Sequence, residues 1–438
     1  MTEIRNSQIR LHYGEKVLDY GLPKGWNVLG NLRTRYFPPI GLNEMVQALE
    51  HPLGKPRLEE IGTGKKSAVI IASDITRPVQ GEAALPLILN ALNQAGIPDR
   101  NILLIMGGGS HQAPQDLNKA YFQKYGQEVV DRVKIMYHNP DRDLIPLGKT
   151  RRGHVIEINK WVVEADLKIG FGGILPHVLG GYSGGAKSIL PAVASRETII
   201  QNHLMVVEPG VGIGLVEGNP IREEIEEVAE IVGLDFIFNL VLDSEGKPVG
   251  AVSGDSREAY RQGVALARQV FQAELPRPAK VVFTSGHPFD IHFYQSLNGP
   301  CSVLDACQDG GTIIHLTPAY EGIREGTKRL FSTVNSIGYK NLFARLKDGE
   351  RTDESVRSFF FPEVNIGVGM TFLRAMVDRG IRMVVVTEGI PSDELQKMGF
   401  EHAATLEEAV SRVHQKLPIA EVAAAFNAKV IVSLARGH

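Results

Sequence analysis

The sequence predicts an α/β protein of two domains, each a mostly parallel or mixed sheet flanked by helices, with the active site in the cleft between them. Three observations carry that expectation. Short β-rich apolar runs alternate with amphipathic helical patterns through most of the chain, which is the grammar of βαβ units. A proline-rich segment, AELPRPAK (273–280), interrupts the alternation, which then restarts. The length, 438 residues, exceeds what a single hydrophobic core usually organises.

The N-terminus alternates Ile4, Ile9, Leu11 and Tyr13 with polar residues. SAVIIAS (67–73) is apolar and β-branched, as a buried strand should be, and EAALPLILNALNQAG (82–96) follows it as a helix closed by glycine. NILLIMGGG (101–109) is the next strand, a polar helix spans 115–126, and VKIMYH (133–138) continues the sheet. DLKIGFGG (166–173) is a further strand. IREEIEEVAEIVG (221–233) spaces Ile221, Ile225, Val228, Ala229 and Val232 on one helical face, so Glu223, Glu224, Glu226, Glu227 and Glu230 read as its solvated face. FIFNLVLD (236–243) and PVGAVSG (248–254) form a hairpin, followed by a helix to about residue 272. The domain boundary falls at the proline-rich segment, giving an N-terminal domain over 1–275 and a smaller C-terminal domain over 276–438. In the latter, VVFTSG (281–286), GTIIHLT (311–317), VNIGVG (364–369), RMVVVTEG (382–389) and AKVIVS (428–433) read as strands, and MTFLRAMVDRG (370–380) as a helix.

Composition narrows function. A net charge of −3 lacks the basic excess typical of nucleic-acid and membrane-surface binders. No run approaches 18 uninterrupted apolar residues, the minimum for a membrane span. The N-terminus lacks the basic head and apolar run of a signal peptide. Cys301 and Cys307 are the only cysteines, as expected for a cytoplasmic protein in a reducing compartment.

In open α/β sheets ligands bind beyond the carboxyl ends of the strands, and three such ends are unusually polar. The first runs into SDITRP with Asp74, Thr76 and Arg77; the second into GGGSHQAP with His111; the third into ILPHVLGGYSGGAKS with His177 and Lys187. Taken singly, Asp74 could cap a helix, Arg77 could pair with a surface carboxylate, and either histidine could be structural. As a group at sheet ends they read as a site. Imidazole titrates near neutrality, which makes His111 and His177 candidates for general acid and base. His203, on a helix beginning after Ser195, matches none of the common zinc spacings.

GGYSGGAKSILP (180–191) resembles a phosphate loop, but Ala186 stands where the second glycine of G-x-x-x-x-G-K-[ST] belongs. About eight residues separate it from the preceding strand, and Pro191 follows three residues after Ser188. A nucleotide-binding ATPase module and a non-catalytic binding protein are therefore the weaker alternatives. Gly184 and Gly185 can still bring backbone amides close to a phosphate, which frees Lys187 for another task.

Taken together, SDITRP, GGGSHQAP, PHVLGGYSGGAKSILP, ETIIQNH and GHPFDIHFYQ, in this order between Asp74 and Gln295, resemble the lactate racemase family of nickel-pincer nucleotide enzymes. The resemblance implies that Lys187 carries the pincer cofactor, a pyridinium mononucleotide with sulfur-bearing arms, and that His203 completes the square-planar nickel centre. Asp74, Gly184 and Gly185 would help hold the nucleotide, Arg77 would grip the substrate carboxylate, and His111 and His177 would exchange the C2-hydroxyl proton on opposite sides of a 2-hydroxy acid. Gln295 would contact substrate or cofactor, and partner proteins would synthesise the cofactor. One departure concerns specificity: QSLN places Asn298 where the lactate enzymes carry a lysine. The run FFFP (359–362) is a candidate for the family's later aromatic contact. Racemisation or epimerisation of a 2-hydroxy acid by reversible hydride transfer is the activity implied, with a larger acid as plausible a substrate as lactate.

Overall fold

The computed structural model describes residues 7–338 and 366–435, together with 340, 341 and 344; the FFFP run lies outside them. The chain divides into two compact units. One comprises Tyr36–Val211 and Leu215–Val270, and the other Met1–Arg35, Gly212–Gly214 and Phe271–His438. The division near residue 270 is close to the proline-rich segment. The first 35 residues, however, group with the C-terminal unit. Strands β1 (Gln8–Tyr13) and β2 (Lys16–Gly21) form a hairpin there, and β3 (Trp26–Leu32) adds a parallel edge to the C-terminal sheet. A reading along the chain has no signal for a strand that pairs almost four hundred residues away.

The first unit is built on β4 (Ala68–Ser73), β5 (Ile102–Gly107), β6 (Lys134–Tyr137), β7 (Leu167–Ile174), β8 (Phe236–Leu242) and β9 (Pro248–Gly254). Their spatial order is β9-β8-β7-β4-β5-β6, parallel throughout except for the β8–β9 hairpin. Val69, Ile70, Ile71, Leu104 and Ile105 are fully buried, which is why these strands read as continuous apolar runs. Helices α1 (Leu85–Gln94), α2 (Leu117–Tyr125), α3 (Arg196–His203), α4 (Pro220–Val232) and α5 (Glu258–Phe271) belong to this unit. The chain moves from β4 outward through β5 and β6, then returns to place β7 on the other side of β4. The carboxyl ends of β4 and β7 therefore flank a topological switch point, where open α/β sheets bind ligands.

The second unit contains β10 (Ala279–Ser285), short helices α6 (Phe293–Ser296) and α7 (Asn298–Ser302), β11 (Cys307–Leu316), α8 (Ile366–Arg379), β12 (Arg382–Val386), β13 (Glu401–Ala403) and β14 (Ala420–Ala425). Its sheet is parallel, in the order β13-β12-β11-β10-β14-β3. The run VNIGVG, expected as a strand, is instead helical from Ile366 onward. Phe372 and Leu373 bury one face of that helix. A short apolar run does not distinguish strand from helix by periodicity alone.

The glutamate face of α4 also needs correction. Glu224 and Glu226 are buried. Glu226 pairs with Arg261, and Glu224 accepts hydrogen bonds from Thr150, His154 and Asn202. Asn219 starts this helix, its side chain accepting from the Ile221 and Arg222 amides, and Gly233 ends it in the left-handed conformation.

Candidate active site

Each polar segment singled out in the sequence emerges from a strand at the switch point. After β4, Asp74 is 2% exposed. Its Oδ2 lies 2.8 Å from His111 Nδ1, and its Oδ1 accepts from the Thr76 hydroxyl at 2.8 Å. Burial would raise its pKa, but His111, Arg77 and Thr76 together outweigh burial and hold the carboxyl below its ordinary range. Asp74 thus caps no helix; it orients His111 with Nδ1–H toward the carboxylate and leaves Nε2 as the basic nitrogen.

The His111 loop is fixed by backbone. Gly109 N–H donates to the Ala192 carbonyl at 3.0 Å, and the Tyr137 hydroxyl donates to the His111 carbonyl at 3.2 Å. A Cβ on Gly108 would overlap the Tyr137 hydroxyl at 1.9 Å, so only glycine permits this approach. Arg77 is half-buried, and among the described residues it forms no salt bridge. Beneath it, the buried Lys124 donates from Nζ to the Arg77 carbonyl. Burial pushes the Lys124 ammonium down to about 8, opposed by Asp74 and reinforced by Arg77. Nothing in the sequence around Lys124 marks this role.

After β7, Pro176–His177 pairs with Gly181–Tyr182 in a short antiparallel ladder, and Lys187 follows on a single 3₁₀ turn, Gly185–Ser188. A Walker loop requires a full helix directly after its glycines; this turn cannot supply one, and the ATPase reading loses its structural basis. His177 Nδ1 accepts from the Leu179 amide at 3.1 Å and the Gly180 amide at 3.4 Å, while Nε2 lies 3.2 Å from Lys187 Nζ.

The glycines of this loop have conformational work. Gly184 and Gly185 adopt φ of +81° and +60°, and the Gly185 amide donates to Asn239 Oδ1 at 2.7 Å. That amide is therefore committed to β8, so Gly185 shapes the turn under Lys187, and its N–H is not open to a phosphate. Arg222, fully buried on α4, closes the loop from behind. Its guanidinium donates to the carbonyls of Gly180, Tyr182 and Gly184 and lies 4.3 Å from the Tyr260 ring centroid. Sequence reading missed it, because the surrounding glutamates made α4 look solvated.

His203 ends α3, whose N-cap Ser195 accepts from the Thr198 amide. Burial pushes its pKa down to about 3, with Lys187, His111 and Arg77 nearby adding to the shift and the Ile199 carbonyl opposing it. Its Nδ1 is buried without a hydrogen-bond partner of good geometry. A neutral imidazole is a metal-competent ligand. Among the described residues no three His, Cys, Asp or Glu side chains converge on one point, so a metal held by His203 would draw its remaining donors from a ligand. Next to it, Asn202 donates to Glu224 at 2.9 Å, which ties the end of α3 to α4.

Gln295 and Asn298 lie in the second unit, on α6 and α7, where Asn298 Nδ2 donates to the Gln295 carbonyl at 2.8 Å. Asp74, Arg77, His111, His177, Lys187 and His203 all lie in the first. Among the described residues, no helix is long and apolar enough to cross a membrane.

Known proteins resemble this chain over most of its length. Residues 13–214 match the lactate racemase N-terminal domain. A lactate racemase from Thermoanaerobacterium thermosaccharolyticum is 34% identical over 328 residues, covering 72% of this chain and 75% of that relative. One from Lactiplantibacillus plantarum is 28% identical over 387 residues, covering 87% and 88%. The lactate racemase apoprotein structure from T. thermosaccharolyticum superposes with a TM-score of 0.86 at 29% identity, over 98% of this chain and all of that one. A Thermotoga maritima protein at 18% identity and a TM-score of 0.63 shares the fold. The chain belongs to the lactate racemase family, whose members racemise or epimerise 2-hydroxy acids.

Proposed function

We propose that this chain inverts C2 of a 2-hydroxy acid with a nickel-pincer nucleotide tethered to Lys187. The observation that carries the reading is the convergence, at one switch point, of two histidines with differently engaged rings, a lysine amine and a buried neutral imidazole. The residues fit the cofactor: the unpartnered His203 Nδ1 marks a ring not fully used by the fold, Lys187 provides an amine, and a sulfur-rich ligand would supply the donors that the protein lacks. When bound, the group supplies the acceptor and donor of hydride at C2.

The chain's own residues do the rest. Arg77 binds the substrate carboxylate through its guanidinium fork. His111 Nε2 takes the hydroxyl proton, and Asp74 stabilises the imidazolium that results, as a carboxylate does for a general base. His177 serves the opposite enantiomer; its Nε2 can take that proton only when Nδ1 no longer accepts from the Leu179 and Gly180 amides. Gln295 contacts substrate or cofactor, and Asn298, in place of the family's lysine, favours a 2-hydroxy acid larger or more polar than lactate. The protein acts in the cytoplasm and receives its cofactor from synthesis proteins. The test is to co-produce it with the cofactor-synthesis machinery, measure nickel and the mass of the Lys187 peptide, and follow enantiopure 2-hydroxy acids by chiral chromatography. Loaded protein that inverts none of a broad panel overturns the reading.

A further inference from the structure

The hydrogen bonds around His177 constrain its protons. The Leu179 and Gly180 amides can only donate, and both point at Nδ1, 3.1 and 3.4 Å away. A ring nitrogen that accepts carries no hydrogen, so the neutral ring has its single proton on Nε2. That nitrogen lies 3.2 Å from Lys187 Nζ. An ammonium has three donors and no acceptor, and an Nε2–H facing it would be a clash of donors. The contact is a hydrogen bond only if Lys187 is the free amine, accepting the Nε2 proton.

From this geometry we propose that His177 has a task before the turnover chemistry: it holds Lys187 as a neutral, aimed nucleophile for attachment of the cofactor. The inference rests on the cofactor assignment above. Two features keep the pair in place. The short ladder Pro176–His177/Gly181–Tyr182 fixes the ring against the turn, and the backbone of Lys187 is set by its amide donating to the Gly184 carbonyl at 3.3 Å. An amine is a nucleophile only when deprotonated, and an ordinary lysine, with a pKa of about 10.4, is free amine to roughly one part in a thousand at pH 7.4.

The chemistry balances without a redox partner. The Lys187 nitrogen attacks the carbon of a thiocarboxylic acid, the C–N bond forms, and the C–O bond breaks. Oxygen leaves as water carrying two of the three protons held by amine and thioacid, and the thioamide keeps the third on nitrogen. Once Lys187 is a thioamide its nitrogen no longer accepts a hydrogen bond well, and His177 Nε2 is released. The ring that prepares the tether thus becomes available to substrate only after the tether is made.

The first test uses apoprotein and a small amine reagent, formaldehyde with cyanoborohydride, at pH 7.4, resolving each lysine by mass spectrometry. Lys187 should react at least about 10-fold faster than exposed Lys24, given the small free-amine fraction of an ordinary lysine. His177→Ala, confirmed folded by its unfolding midpoint, should lower the Lys187 rate by a similar factor. Should His177→Ala fail to fold, ¹⁵N-histidine NMR of the wild type decides: the Nε2–H tautomer is expected, with a shift change in Lys187→Ala. An Nδ1–H tautomer, or undiminished Lys187 labelling in folded His177→Ala, overturns the proposal. The second test exposes both apoproteins to cofactor, and only the wild type should gain mass at Lys187. Wild type that labels as expected yet takes up no cofactor refutes the cofactor assignment and leaves the His177–Lys187 pairing intact.

Discussion

Replacing Arg222 with methionine tests whether the loop carrying His177 and Lys187 is held from behind. Arg222 is fully buried, and among the described residues no carboxylate pairs with it. Its charge is instead spread over three backbone carbonyls, those of Gly180, Tyr182 and Gly184, and the Tyr260 ring at 4.3 Å. Each hydrogen bond to a charged donor is worth about 1.5–3 kcal/mol, and a desolvated cation–π contact about 2 kcal/mol. Desolvating the guanidinium costs several kcal/mol against that gross sum. Methionine keeps much of the volume but strands three buried carbonyls, and the net loss expected is about 3–5 kcal/mol. The assay is urea unfolding by fluorescence. Trp26 and Trp161, the only tryptophans, fall in different units, so a Trp26→Phe background makes Trp161 report the unit with the site. The Lys187 peptide should also gain cofactor at least about tenfold more slowly, because small misplacements of reacting groups are costly. Arg222→Met within about 1 kcal/mol of its parent, with normal loading, would refute the argument.

Three further outcomes follow from the same structure. Asp74→Asn should reduce racemisation by about 10²–10⁴-fold while nickel and the Lys187 mass increment persist, because the amide cannot stabilise His111 as imidazolium; loss of nickel in that variant would return Asp74 to the cofactor. Gly185→Ala should reduce both stability and Lys187 loading, by about 1–3 kcal/mol in the former, since φ is +60° and the new Cβ would sit 2.8 Å from the Tyr260 ring; an unchanged midpoint in urea counts against it. His138 is buried, with Nε2 2.9 Å from the Ala194 carbonyl and Nδ1 3.1 Å from Asn159 Nδ2, and burial pushes its pKa down to about 4. Below about pH 6.5 the unfolded chain binds a proton that the folded chain refuses, so stability must fall as pH drops from 6.5 toward 4, by about 2 kcal/mol at pH 5. Urea midpoints of wild type and His138→Gln at pH 7 and 5 should diverge by that amount, the variant losing less.

The fold was legible where the sequence repeats one physical unit. Strands β4, β5 and β7 are apolar on both faces because helices cover both, and that produces the continuous runs SAVIIAS, NILLIM and DLKIGFGG. Legibility failed where the partner is remote or the pattern is shared. Strand β3 carries no mark of β14, its partner from the far end of the chain. The start of α8 carries glycines and apolar residues that suit a strand equally well, and only the burial of Phe372 and Leu373 decides for a helix.

For the site, the residues with recognisable chemistry were visible and those that position them were not. Asp74, His111, His177 and Lys187 stand at strand ends, where polar residues need a reason, and the structure brings them to one switch point. Arg222, Glu224 and Lys124 sit in helices whose charges look solvent-facing, yet each is buried against the backbone or side chains that aim a site residue. For Arg222 the cause is the loop that it closes. A glycine-rich loop gives freedom to approach a ligand closely, but it leaves carbonyls without regular partners, and a buried guanidinium supplies five donors in a planar fork. The side chains that stabilise such a loop must therefore come from elements packed behind it, at sequence distances no local motif can encode. The glycines of GGYSGG leave the carbonyls that Arg222 satisfies, while His177 accepts from the Leu179 and Gly180 amides and its remaining nitrogen faces Lys187.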